Sequence, residues 1–504
     1  MSDSLETIRR LRAWSDGKPT PRGEKINVKV ADDDDLLIVA FLRMGGESRP
    51  WGVAFGKSSE KPKILTVAEA RNRTRVADMM IEFAPTILKH FRHPQHSSDS
   101  LINWETNSHR QIWLPGPTHV EMLHFLALSY ARTRWDRDDV ETLRALGNLA
   151  NCLYIEQQRP GQQTVLTASS ALQLSHVFPA SSVRQAHLGY LLGWLQGGRT
   201  RDSRLAAARL AEKQSAATVL DPQFEREKVQ PLVDEWGEAN RKKNLKGCLS
   251  AEAGVKKILT PELLRRWDLT CDSIQTLRSD KRGSNSGLSS LVAFSKKDFN
   301  RGWGEKALNE DAGDEPFWPN PFTDYNTRIA AGGYHQRVAD DQKARYFLVH
   351  GDRELQREEL ASGHGLIGVI TAVNSSEPEW TIKFSYPDLS TIKDGDYIVI
   401  AGAHEMKLTV TEIDHEKKIV VAEPGWKNAK PQFGKKGLPS RDRAWKGQKL
   451  VFLEDQPFSL AERLAFSSRS RSDDPDDITN LIKLRQRRHA ANDDEGTVNP
   501  EGDD

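Results

Sequence analysis

Three short stretches of the 504-residue chain carry side chains of the types that do chemistry. Gly56-Lys57-Ser58 has the closing letters of a phosphate-binding loop, GxxxxGK[ST]. In such a loop, glycine-rich turns point several backbone N–H groups at one phosphate and the following helix adds its positive end. The spacing fails here, because Trp51 stands where the first glycine belongs and Gly52 lies one place late. Pro62 also forbids a helix interior just beyond the triplet. The triplet reads as a strand end, and no nucleotide site is expected.

The second stretch is His119-Val120-Glu121-Met122-Leu123-His124. Glu121 and His124 share a helix face, the ExxH relation of di-iron bundles, but a di-iron site needs a second such pair and two more carboxylates. No second pair lies on a clear apolar helix. His119 and His124 are five apart, about 140° around a helix, so they do not make the zinc-binding HExxH. Glu121 reads as a capping residue and His124 as a partly buried histidine, and no metal or cofactor is expected.

The third stretch, Glu405-Met406-Lys407, has the ExK letters of a metal-dependent nuclease, which needs a further acidic residue on an adjacent strand. Asp396 on the preceding strand reads as a turn residue. Asp352, Glu354, Glu358 and Glu359 lie on a short helix further back, and His404-Glu405 and His415-Glu416 lie in loops. His350, His364 and the widely spaced Cys152, Cys248 and Cys271 suggest no nucleophile–base pair, disulfide framework or CxxC knuckle.

The elements that must position these residues indicate an α+β multidomain protein. Residues 1–25 are polar and partly disordered in this reading. Residues 26–115 form a small α+β domain: strand Leu36–Leu42, a turn at 45–48, strand Trp51–Phe55, and a helix opened by the capping box Thr66-Val67-Ala68-Glu69. Val76, Met79, Met80, Phe83, Ile87, Leu88 and Phe91 recur at helical spacing, with Pro85 as a kink. Residues 116–280 read as a helical array, with helices near 203–217, 222–245 and 260–279; the last is capped by Thr260 with Pro261 in its first turn. Residues 281–345 are a linker, Lys281 to Gly287, followed by an aromatic and proline-rich loop at 315–322.

From Leu366 the hydrophobic period switches to strands. Five of them, Leu366–Val373, Trp380–Phe384, Asp396–Ile400, Lys407–Ile413 and Lys418–Ala422, suit a small five-stranded β-barrel domain at 346–455. Residues 456–504 form a charged tail with an acidic end, disordered by composition. No run approaches the ~20 apolar residues of a membrane span, and the N-terminus lacks the apolar core of a secretory signal, so a cytoplasmic location is expected.

Gly363-His364-Gly365-Leu366-Ile367-Gly368-Val369-Ile370, then Ile392-Lys393-Asp394-Gly395-Asp396-Tyr397-Ile398-Val399-Ile400 and the next two strands, resemble the accessory β-barrel of Upf1-like superfamily 1 helicases. The resemblance covers about a fifth of the chain and includes none of the family's motor motifs. It implies contact with nucleic acid, or with a helicase or ATPase partner that holds it.

The 72 basic and 71 acidic side chains nearly cancel, so the location of the charge decides its meaning. Arg265-Arg266, Arg278, Lys281-Arg282 and Lys296-Lys297 flank the linker. Lys435, Lys436, Arg441, Arg443, Lys446 and Lys449 follow the barrel strands, with Trp426, Phe433 and Trp445 available to stack on bases. The expected nucleic-acid site is this second cluster, Trp445 included. The expected function is that of a non-enzymatic accessory protein in a nucleic-acid-processing system, phage defence being an analogy. The alternative is a metal-dependent nuclease.

Overall fold

The computed structural model describes residues 3–91, 110–292, 327–374, 379–387, 390–424, 447 and 449–454. The chain divides into two units, one of residues 1–318 and 344–454 and the other of 319–343 and 455–504. In the second unit the described residues are 327–343, the first part of helix Thr327–Gly351.

In chain order the first strands are Thr20–Pro21 (β1), Leu36–Arg43 (β2), Pro50–Gly56 (β3), Lys63–Thr66 (β4), Gln111–Leu114 (β5), Val165–Thr167 (β6) and His176–Val177 (β7). The short β1 pairs with β7, and the rest form a sheet ordered β4-β3-β2-β5-β6. The pairs β2–β3 and β3–β4 are antiparallel, whereas β2–β5 and β5–β6 are parallel. The run Leu-Leu-Ile-Val-Ala-Phe-Leu in β2 is apolar at successive positions because both faces of this central strand are covered.

The two faces of β3 differ in side-chain size. Phe55, with Phe41 of β2, meets Phe83 of helix Arg73–Phe91 at ring-centroid distances of 4.9 and 6.1 Å. Gly52, Ala54 and Gly56 make the other face. A Cβ on Gly52 would come within 3.1 Å of Leu263, and one on Gly56 within 3.4 Å of Trp267, so this small-residue face receives helix Leu245–Arg278.

Two helix starts differ from the sequence reading. Thr66 ends β4 rather than opening a helix; Glu69 instead accepts from the backbone N–H of Arg71 at 2.8 Å. Asn72 takes the capping role, its Oδ1 accepting from the N–H of Arg75 at 3.2 Å. The helix then continues through Pro85 to Phe91. Likewise Thr260 and Pro261 lie inside one 34-residue helix, Leu245–Arg278, capped by Asn244, whose side chain accepts from the N–H of Gly247. A proline removes a single helical hydrogen bond, and packing against β2, β3 and β4 holds this helix across it.

One hydrophobic core runs from Val28 to Leu277. It crosses the boundary expected at 115/116, because β6 joins β5 and the later helices cover the same sheet.

The stretch read as a linker is ordered and pinned from Lys281 to Val292. The N–H of Ile26 donates to the carbonyl of Gly283, and the N–H of Asn285 donates back to that of Ile26. The amide of buried Asn285 donates to Asn27 Oδ1 and to the carbonyl of Leu348, both at 2.8 Å. Gly287 lies so close to helix Thr327–Gly351 that a Cβ would collide with the Phe347 carbonyl. Glycine, serine and asparagine here serve close approach and side-chain bonding rather than freedom.

The C-terminal strands are Gly365–Asn374 (β8), Glu379–Tyr386 (β9), Tyr397–Ile400 (β10), Ala403–Asp414 (β11), Ile419–Pro424 (β12) and Lys449–Glu454 (β13). They close a barrel in the order β10-β11-β12-β9-β8-β13. The barrel therefore has six strands, not the expected five. The sixth, β13, pairs with both β8 and β10, removing the two edges a five-stranded sheet would expose. Leu366, Ile370, Trp380, Ile382, Leu408 and Phe452 fill its interior.

Candidate nucleic-acid interface

Each stretch singled out in the sequence has a local structural role. Lys57 donates to Asp34 at 2.5 Å, and the Ser58 hydroxyl donates to Asp33 Oδ1 at 2.6 Å. Asp33 Oδ1 also accepts from Arg278 at 2.7 Å, and these donors hold the carboxyl below the usual range. The chain proceeds from the triplet to β4, not to a helix, so nothing supplies the cradle of N–H groups a phosphate needs.

His119 is wholly buried in the first turn of helix Pro117–Tyr130. Its Nδ1 accepts from the N–H of Phe41 at 3.0 Å, and its Nε2 donates to the carbonyl of Ala216 at 2.9 Å. Burial pushes its pKa down to about 3, so it is a neutral cross-brace. His124 is half-buried and stacked on Tyr154, with ring centroids 4.3 Å apart. Glu121 is exposed on the same helix.

In the barrel, Lys407 lies opposite Val399, and its ammonium stands 4.9 Å from the Tyr397 ring centroid. Asp396 accepts from the N–H of Lys393 at 2.7 Å, as a turn residue does. The acidic helix Arg353–Ala361 uses its carboxylates internally. Asp352 caps it and also accepts from the N–H of Lys25, while Glu354, Glu358 and Glu359 pair with Arg357, Arg9 and Arg345. Among the described residues, no three His, Cys, Asp or Glu side chains gather to hold a metal ion.

The arginines flanking the linker are clamps rather than an open phosphate surface, whereas Lys281 is exposed. Arg266, 1% exposed, donates to Glu262 and to the carbonyls of Ala217 and Val219. Arg265 bonds the carbonyls of Gln214 and Ser215, Arg278 that of Ala31, and Arg282 those of Gly23 and Ser175. Chain crossings leave carbonyls unpaired, and guanidinium groups satisfy several at once. Lys296 and Lys297 lie outside the described residues, as do Lys435, Lys436, Arg441, Arg443, Trp445 and Lys446. Lys449 is described and exposed; it opens β13 opposite Val369.

A different basic face emerges on the N-terminal half. Arg71, Arg73 and Arg75 alternate across the start of helix Arg73–Phe91, which has no acidic residue in its first turn. Cations at the positive end of a helix oppose the macrodipole, typically by ~0.3–1 kcal/mol each. Arg73 lies over Trp135 with its guanidinium carbon 4.4 Å from the ring centroid, and Arg75 lies 5.8 Å from that of Trp236. Arg137 approaches Trp135 from 5.2 Å and is neutralised by Asp78 and Asp139. Arg71 shares Glu47 with Arg49, and Arg75 faces Glu252 at 3.6 Å. Arg73 and Arg134, both exposed, have no acidic partner among the described residues.

Trp236 belongs to helix Gln230–Arg241, which turns into helix Leu245–Arg278 through Arg241-Lys242-Lys243-Asn244-Leu245-Lys246. All six are exposed, and among the described residues only Lys242 has an acidic partner, Glu238, at 3.3 Å. Lys243 sits just past the helix end at φ 52°, in the left-handed region where glycine is the ordinary residue. The sequence signals for this face were Arg-x-Arg-x-Arg at 71–75, Arg-x-Arg-Trp at 132–135 and the basic run at 241–246.

Comparison of the chain with family models, curated proteins and solved structures finds no match. Among the described residues, no helix is long and apolar enough to cross a membrane.

Proposed function

We propose that this protein is a nucleic-acid-binding accessory component of a nucleic-acid-processing system. The observation that carries the reading is exposed Arg73 over Trp135, with no acidic partner among the described residues. Two guanidinium–indole stacks stand at one helix start, where the cations oppose the dipole rather than complement it. The indole contact offsets that opposition, typically by ~0.5–1 kcal/mol at an exposed site. Cations spaced along a face suit a repeating polyanion. The barrel is the module offered to nucleic acid or to a helicase-type partner, a part of the reading that rests on the sequence resemblance.

The test is fluorescence anisotropy with a labelled oligonucleotide. Arg73→Glu should weaken binding about tenfold or more, while Lys57→Glu, an equal change of charge at an ion pair away from this face, should leave it unchanged. Equal losses in the two variants would reduce the effect to net charge and remove the face from the proposal.

A further inference from the structure

A hollow of about 300 Å3 opens where the start of helix Arg73–Phe91 meets helix Pro117–Tyr130. Among the described residues its charged lining consists of Arg49 and Arg73, with no carboxylate, and half-buried Phe125 and exposed Leu128 supply apolar surface above buried Val76 and Tyr130. The volume lies at the lower end of the ~300–1,000 Å3 usual for small-ligand sites. A larger cleft of about 440 Å3 sets Glu69, Asp78, Glu82 and Glu252 against Arg75 and Lys256, which disfavours a phosphate there. Arg49 is fixed by Glu47 and by the carbonyl of Arg71, whereas Arg73 bridges the hollow and the Trp135 stack with no acidic partner among the described residues.

We infer that this hollow receives one unstacked base of a single-stranded nucleic acid, with the adjoining phosphate on Arg73. The inference rests on the nucleic-acid reading above and names its substrate class. An aromatic and aliphatic floor takes the flat face of any base, and a guanidinium at the rim takes the charge beside it. A duplex would have to unpair a base to fill the same space, at a cost of a few kcal/mol, so the hollow favours single strands. A phosphotyrosine side chain offers a ring and a phosphate too. It uses only one cation, however, while the exposed Arg134, Lys243 and Lys246, without acidic partners among the described residues, offer further ones.

The test compares labelled oligothymidylate with a labelled duplex of equal charge. Leu128 is 67% exposed, so Leu128→Glu places a carboxylate in the hollow without emptying the core. The variant should lose about tenfold in affinity for the single strand and keep its affinity for the duplex, and Leu128→Met should bind like the parent. If Leu128→Glu binds both ligands as the parent does, or weakens both equally, the base site is overturned and the phosphate-contact reading stands. If Arg73→Glu changes neither ligand's affinity, both fall. Displacement of the oligothymidylate by a phosphotyrosine peptide at equal or lower concentration would assign the hollow to a protein partner and overturn the inference.

Discussion

The amide of Asn285 donates to Oδ1 of Asn27 at 2.8 Å, and both side chains are buried. This bond, with those of Asn285 to Leu348 and of Lys25 to Asp352, fastens the N-terminal segment to the helices that precede the barrel. Asn285→Ala leaves Asn27 Oδ1 and the Leu348 carbonyl without this donor, at an expected ~1–3 kcal/mol for each group left unpaired. The parent should resist limited proteolysis between residues 281 and 291, and the variant should be cut there with a lower thermal midpoint. Rapid cleavage of the parent in that window would show that the fastening does not hold.

His119 makes stability depend on pH. Its folded pKa, about 3, lies below the ~6.5 of an unfolded histidine, so the unfolded state binds the extra proton first. The contribution is fully present above pH 6.5 and is lost as pH falls toward 3, by about 1.4 kcal/mol per unit across that window. Half-buried His90 and His176, each pushed down to about 4, act in the same direction. Urea denaturation of His119→Gln between pH 6 and 4 should show a pH dependence shallower by about one proton. An unchanged slope would mean that His119 titrates freely in the folded protein.

Lys57→Ala should have little effect on stability, no more than ~1 kcal/mol, because its ion pair with Asp34 is exposed. Isothermal titration with magnesium and ATP should show no binding to either parent or variant. Heat of binding to the parent that disappears in the variant would restore the triplet as a nucleotide site.

Lys243→Gly separates stability from binding. Glycine relieves the left-handed backbone at φ 52°, so the thermal midpoint should hold or rise by the equivalent of ~1 kcal/mol. If the proposed face includes this turn, nucleic-acid affinity should fall, because an exposed cation is lost. A variant that is more stable and binds as tightly as the parent would make Lys243 merely a strained helix end.

The β2–β3 hairpin is legible in the sequence because its apolar run is long and bracketed by Gly45-Gly46. The barrel is legible through five alternating strands, whereas Lys449–Glu454 follows a long charged segment and shows only four apolar residues. Lys281–Gly287 has the composition of a free linker, and nothing local reveals that Asn285 meets Asn27 across 258 residues. Arg266 and Lys243 look alike as cations in the sequence. Only the fold shows that one clamps carbonyls inside while the other stands in solvent. The indole partners of Arg73 and Arg75 lie far along the chain, so the Arg-x-Arg-x-Arg run had no visible context.

The most direct test of the proposed nucleic-acid face is the salt dependence of single-strand binding for the parent and Arg73→Glu, measured beside their thermal midpoints. A phosphate contact contributes about 0.7 to the slope of log K against log salt on single strands, so the variant's slope should be shallower by at least that amount. Its midpoint should change little, because the carboxylate complements the dipole that Arg73 opposes while the contact with Trp135 is lost. An identical slope in parent and variant, with the fold intact, would contradict the claim that this face holds phosphates.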